Sequence, residues 1–163
     1  MADHFAKAFD VDLQELNRMV AEMGGLAEKE IADAVQALTR RDIDLANKLI
    51  AADAQIDALQ REIEERAILT IARRQPMAID LREVVSALRV ANEIERIGDL
   101  AKNIGKRALD LEGEYPSLKL IRGVDHMGSL VLTQLKRVLD AYAARDVDEA
   151  MDVWKRDEEI DAM

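Results

Sequence analysis

Residues 91–103, ANEIERIGDLAKN, place Glu95 and Asp99 one helical turn apart with Gly98 between them. Like charges at i and i+4 share a helix face and repel by roughly 0.2–0.5 kcal/mol. A glycine inside a helix loses about a further 1 kcal/mol relative to alanine. Asn92 and Asn103 extend the same face, so four oxygen-bearing side chains fall within reach of one another at helical spacing. Carboxylates and amides, with no cysteine and no nearby histidine, suit hard cations: Mg²⁺, Mn²⁺, Ca²⁺, or iron held mostly by oxygen. The competing reading is a solvated face, with Arg96 and Lys102 as surface partners of Asp99 worth under about 1 kcal/mol. Spacing alone favours the solvated face, because charge runs on helices are usually solvated.

These residues need helices to position them, and the apolar pattern supplies them. Leu13, Leu16, Val20, Met23, Ala27, Ile31, Ala34 and Leu38 recur at steps of three and four, which predicts a first helix over 11–39. Arg40 and Arg41 favour its carboxyl end, and Asp42 is placed to cap a second helix. That helix carries Ile43, Leu49, Ile56, Leu59, Ile63, Ala67 and Ile71, and is expected to stop near Arg74 because Pro76 disfavours helical geometry at Gln75. A third runs from about Met77 to Leu111 along Ile94, Ile97, Ala101, Ile104, Ala108 and Leu111. Long helices joined by short turns lie antiparallel, and three close a bundle.

The hairpin about Gln75–Pro76 sets Asp53 level with Gly98–Asp99, and Asp57 level with Ile94–Glu95. Both aspartates are therefore second-tier candidates, as ligands or beside ligands. The turn at Arg40–Arg41 brings Gly24–Gly25 to the level of Asp57 and Glu28 to that of Asp53, so small residues are expected to cluster at the height of the acids. Levels do not fix helix rotation.

Composition supports this architecture and excludes others. Hydrophobic residues make up 49% and charged residues 34%, against 3% aromatics and two prolines, which is an all-α composition. With no cysteine there is neither a disulfide framework nor a thiolate metal site. His4 and His126 stand in no Glu-x-x-His spacing, so a ferritin-like di-iron centre is unsupported. The few serines have no partner histidine, and Trp154 and Tyr142 read as packing residues. A net charge of −10 argues against nucleic acid and suits cations or a basic protein partner. No stretch reaches the ~18 apolar residues of a spanning helix. No membrane insertion is expected, and the cytoplasm is the expected compartment.

Past LEGEYPS (111–117) the chain repeats itself. Residues 17–59 align with 121–163 without a gap: Met23, Gly24 and Leu26 recur as Met127, Gly128 and Leu130, and Arg41 and Asp42 as Arg145 and Asp146. Asp53, Ile56 and Asp57 recur as Asp157, Ile160 and Asp161. The repeat predicts tandem three-helix bundles, the first over 1–112 and the second represented over 113–163 by its first two helices only. Counterparts of Glu95 and Asp99 fall beyond Met163, so a longer full-length form is expected. An apolar seam at Leu120, Val131, Leu135, Val138 and Val147 is expected to be covered by another chain or to stay poorly ordered, which makes a homo-oligomer the favoured expectation.

The stretch QPMAIDLREVVSALRVANEIERIGDLAKNI (75–104), with MGGLAE (23–28), DAQIDAL (53–59) and the duplication, resembles the PhoU family of bacterial phosphate-signalling proteins. The resemblance covers nearly the whole chain. It implies tandem three-helix bundles with one E(D)xxxD motif in each, and makes Glu95 and Asp99 ligands of a multinuclear iron or zinc cluster, with Mg or Mn as the alternative. It also implies a non-enzymatic, negative regulator of phosphate uptake. Such a regulator is a cytoplasmic adaptor between the ATPase subunit of a phosphate ABC transporter and a sensor histidine kinase, peripheral to the inner membrane through those partners. With the resemblance weighed in, metal contact leads the solvated face. The alternatives are a metal-dependent phosphohydrolase, which lacks a positioned general acid, and a purely structural helical module.

Overall fold

The computed structural model describes residues 2–111 and 117–163, with side chains from Lys7 onward; the turn at 112–116, part of the predicted break at LEGEYPS, lies outside the described residues, as does the side chain of His4. Among the described residues the chain is all-helical: α1 (Ala2–Arg40), α2 (Ile43–Ala52), α3 (Ala54–Arg74), α4 (Ile79–Asp110), α5 (Leu118–Ala144), α6 (Val147–Lys155) and α7 (Asp157–Asp161).

The first helix begins well before residue 11 because its apolar stripe continues back to Phe9, which is buried. The predicted second helix is interrupted at Asp53, which separates α2 from α3. Asp53 keeps right-handed helical angles, and its N–H still reaches the Leu49 carbonyl at 3.3 Å, so the interruption is a single turn residue. The third helix starts at Ile79 rather than Met77. Gln75 leaves the helix in a left-handed conformation (φ 49°) ahead of Pro76, and Ala78 at φ 51° makes the second bend. Asp80 then lies in the first turn of α4, where it favours the positive end of the helix dipole.

The helices form a bundle around one core. Leu16, Met23 and Ala34 of α1, Leu49 of α2, Ile56 and Ile63 of α3, and Val84, Ala91 and Ala101 of α4 are essentially solvent-free. Each large aliphatic side chain buried this way contributes about 1.5–3 kcal/mol. The same core continues into α5 through Leu135, with Val131, Leu132, Leu139 and Tyr142 packed against it.

The expected apolar seam is therefore half covered, and by the chain's own α1 rather than by another molecule. Leu135 is buried and Val131 partly so, whereas Leu120, Val138 and Val147 stay exposed. α5 runs antiparallel to α1 at close range. A Cβ on Gly128 would lie 2.6 Å from Val35, and one on Gly24 would lie 2.8 Å from Leu139. The tyrosine expectation holds, since the Tyr142 hydroxyl packs inward and donates to Asn17 at 3.1 Å. Trp154 does not pack; it is 70% exposed. Between α4 and the α5–α6 hairpin an apolar trough of about 690 Å³ is lined by Val90, Ile94, Ile97, Leu135, Val138 and Met151.

The internal repeat is visible bond for bond in its turns. Arg41 (φ 59°) and Arg145 (φ 57°) both end a helix in the left-handed region. The next N–H, of Asp42 or Asp146, reaches back to the Ala37 or Ala141 carbonyl at 3.0 and 2.9 Å. Asp42 and Asp146 then cap the following helix by accepting from the N–H of Leu45 at 2.9 Å and of Glu149 at 3.0 Å.

Candidate carboxylate centre

Three helices each interrupt their apolar stripe at one level of the bundle. On α1 the stripe Met23, Ala27, Ile31, Ala34 is broken by Glu30. On the second hairpin arm Leu49, Ile56, Ile63 is broken by Asp53, and on α4 Ala91, Ile94, Ala101 is broken by Gly98. Glu30 and Asp53 are each only 4% exposed. Gly98 answers why the α4 motif tolerates a glycine: a Cβ there would meet Ile56 Cδ1 at 3.0 Å, Glu30 Oε2 at 3.2 Å and Asp53 Oδ1 at 3.6 Å. The missing side chain is the space into which both carboxylates turn. Gly105, two stripe positions further, admits Leu49 in the same way at 2.9 Å.

The predicted small-residue cluster at this height is corrected by these contacts. Gly24 serves α5, and Gly25 is exposed with nothing near it. The α1 acid that faces inward beside Asp53 is Glu30, two residues on from Glu28, because Glu30 lies on the buried stripe.

Lys102 closes the layer. Its Nζ donates to Asp53 Oδ2 at 2.5 Å and to Asp99 Oδ1 at 2.6 Å, with the lysine side chain 21% and Asp53 6% exposed. Both charge-assisted hydrogen bonds hold the ammonium in its charged form and push its pKa up, the one to Asp53 most. Glu30 has no such partner. Its Oε2 is buried and makes no hydrogen bond. Burial above all, then the Asp53 carboxylate, pushes the Glu30 carboxyl up to about 7, with Lys102 and Lys29 opposing. Glu95, half-buried, is raised by burial and by the negative charges of Asp99, Asp57 and Asp53.

The sequence candidates thus divide. Asp53 and Asp99 are brought together through Lys102, while Glu95 and Asp57 lie close enough to share their field. Asn92 is turned to α3, where it accepts from Gln60 Nε2 at 2.9 Å, and Asn103 is exposed. Two participants escaped the spacing argument. Glu30 was detectable as a charged residue at a core position, seven residues after Met23 and four before Ala34. Lys102 was visible only as a surface partner of Asp99, not as the bridge to Asp53.

As a metal site the donor chemistry fits, since every donor is a hard oxygen and one buried carboxylate oxygen is unpartnered. The arrangement of the donors fits only in part. Among the described residues no three Asp, Glu or His side chains are disposed around a common metal position. The position between Asp53 and Asp99 is filled by the lysine ammonium.

Comparison with known proteins agrees over nearly the whole chain. A family model described as "PhoU domain" matches residues 20–108 and 124–163. The phosphate-specific transport system accessory protein PhoU homolog of Rhizobium meliloti (strain 1021) is 49% identical over 98% of this chain and 68% of its own length. The relative of the same name from Caulobacter vibrioides is 48% identical over 99% of this chain and 70% of its own. Among solved structures, PhoU from Pseudomonas aeruginosa superposes with a TM-score of 0.89 at 38% identity, over 94% of this chain and 74% of that one. The phosphate transport system regulatory protein PhoU from Streptococcus pneumoniae gives 0.86 at 29% identity. With the helical repeat, the capped turns and the carboxylate layer already in place, these matches are decisive: the chain belongs to the PhoU family.

Proposed function

We propose that this chain is a regulatory accessory of phosphate transport that acts by binding partner proteins rather than by turning over a substrate. The observation that carries this reading is the match across nearly its full length to relatives named for that accessory role and not for a reaction. Its partners are the ATPase subunit of a phosphate ABC transporter and the cytoplasmic part of a phosphate sensor histidine kinase, and its effect on uptake is negative. It works from the cytoplasmic side; among the described residues no helix is long and apolar enough to cross a membrane.

Within this reading Glu95 and Asp99, backed by Asp53 and Asp57, supply oxygen donors to a multinuclear iron or zinc cluster, with Mg²⁺ or Mn²⁺ as the alternative occupant. The unpartnered Glu30 oxygen and the crowding that raises Glu95 support a centre that gains from added positive charge. Bound metal would supply that charge and tie α3 to α4.

The test is surface plasmon resonance of the chain against the purified ATPase subunit and kinase domain, with millimolar inorganic phosphate and without it. Saturable binding to either supports the adaptor role, and absence of binding to both under phosphate-replete conditions overturns it.

A further inference from the structure

The lysine in the carboxylate layer has a consequence for any metal bound there. We propose that Lys102 is a tethered cation standing in the place of a metal ion, so that the Lys102–Asp53 pair and a divalent cation shared by Asp53 and Asp99 exclude one another. This rests on the reading of Glu95, Asp99 and Asp53 as metal-binding groups given above.

Geometry carries the exclusion. The ammonium lies 2.5 Å from Asp53 Oδ2 and 2.6 Å from Asp99 Oδ1, and so occupies one oxygen of each carboxylate. A divalent ion bound to both oxygens at ~2.0–2.6 Å would compete with the nitrogen for the same two acceptors. Two positive centres that close to one pair of oxygens repel, so one must leave. The lysine can: its flexible four-carbon stem is 21% exposed, whereas Asp53, beneath it, is almost fully buried.

Charge balance supplies the reason for an exchange. Glu30, Asp53, Asp57, Glu95 and Asp99 stand around a single ammonium, since Lys29 pairs outward with Asp33 at 2.6 Å. One lysine cannot neutralise the set, and Glu30 Oε2 is left buried with no hydrogen bond, close against the Gly98 backbone and on the side of Asp53 Oδ1. A divalent ion brings twice the charge to the same carboxylates. Lys102 therefore keeps the layer folded when metal is scarce and lowers its affinity when metal is present.

The test uses chelator-stripped, dialysed full chain and Mn²⁺, then Zn²⁺, as probes, with binding followed by isothermal titration calorimetry. Lys102→Met is expected to bind at least tenfold more tightly than the natural chain, and Lys102→Arg to stay near it. A Lys102→Met affinity equal to or weaker than that of the natural chain overturns the proposal while leaving the metal reading intact. If neither the natural chain nor Lys102→Met takes up either ion, the metal reading itself falls and this one with it. A measurement on the natural chain removes dependence on the variant's folding. Acetic anhydride labelling of Lys102, read by peptide mass spectrometry, should speed up severalfold at saturating Mn²⁺. Saturation with unchanged or slower labelling also refutes displacement.

Discussion

Replacing Glu30 by glutamine removes a buried charge with little change of shape, and its effect on stability should depend on pH in a defined way. In the folded chain the Glu30 carboxyl titrates at about 7, against an ordinary value of 4.5. The folded state therefore holds this proton more tightly than the unfolded state does. Stability from the group is fully present below about pH 4.5 and is lost as pH rises to about 7, where the folded carboxyl finally ionises. Each unit of separation corresponds to about 1.4 kcal/mol, so the loss across the window is on the order of 3–4 kcal/mol. Glu30→Gln has no such titration. Relative to the natural chain it should gain about 3–4 kcal/mol between pH 4.5 and pH 8.5, or roughly 6–16 °C in melting temperature for a domain of this size. At pH 4.5 the two should differ by less than about 1 kcal/mol, the allowance for a buried amide that lacks a partner. Urea unfolding followed by circular dichroism at 222 nm, at each pH with chelator present, measures the difference directly. A difference independent of pH, or one that favours the natural chain at high pH, would refute the account of Glu30.

Two further substitutions follow from the packing. Gly98→Ala should destabilise by about 1–2 kcal/mol in urea unfolding, because overpacking against Ile56 Cδ1 and Glu30 Oε2 outweighs the gain in helix propensity. Gly25→Ala, with open space around it in the same helix as Glu30, should instead stabilise by about 0.5–1 kcal/mol. Loss of either duplicated cap, by Asp42→Ala or Asp146→Ala, should cost about 1 kcal/mol in the same assay, and the two losses should add.

The parts of this molecule that were legible in its sequence are those set by short-range periodicity. The stripe from Leu13 to Ala34 and the stripe through Ile94, Ala101 and Ala108 are buried as their spacing requires, and Asp42 caps the helix it precedes. Reflection about the Gln75–Pro76 turn placed Asp53 at the level of Asp99, and one lysine spans the two. What spacing could not supply was rotation and partner choice. Glu30 follows Lys29 in a charged run, and only its place on the stripe of Met23 and Ala34 shows that it turns inward. The seam on α5 looked unpartnered because periodicity marks an apolar face without saying what meets it. For Val131 and Leu135 the answer is α1 of the same chain, through glycines at 24 and 128 that let the two helices approach. Trp154 misled for the converse reason: aromatic character argues for burial, and the α6 face that carries it meets solvent.

That close approach of α1 and α5 has a consequence for how the chain unfolds. One face of α1 packs on α3 and α4, and another is clasped by α5 at Gly24 and Gly128, so a single helix is the wall common to both repeats. Neither repeat can open without stripping cover from this helix. Although the sequence is duplicated, the shared wall should make the two halves melt as one foldon, and hydrogen exchange should find α1 the last helix to lose its amide protection.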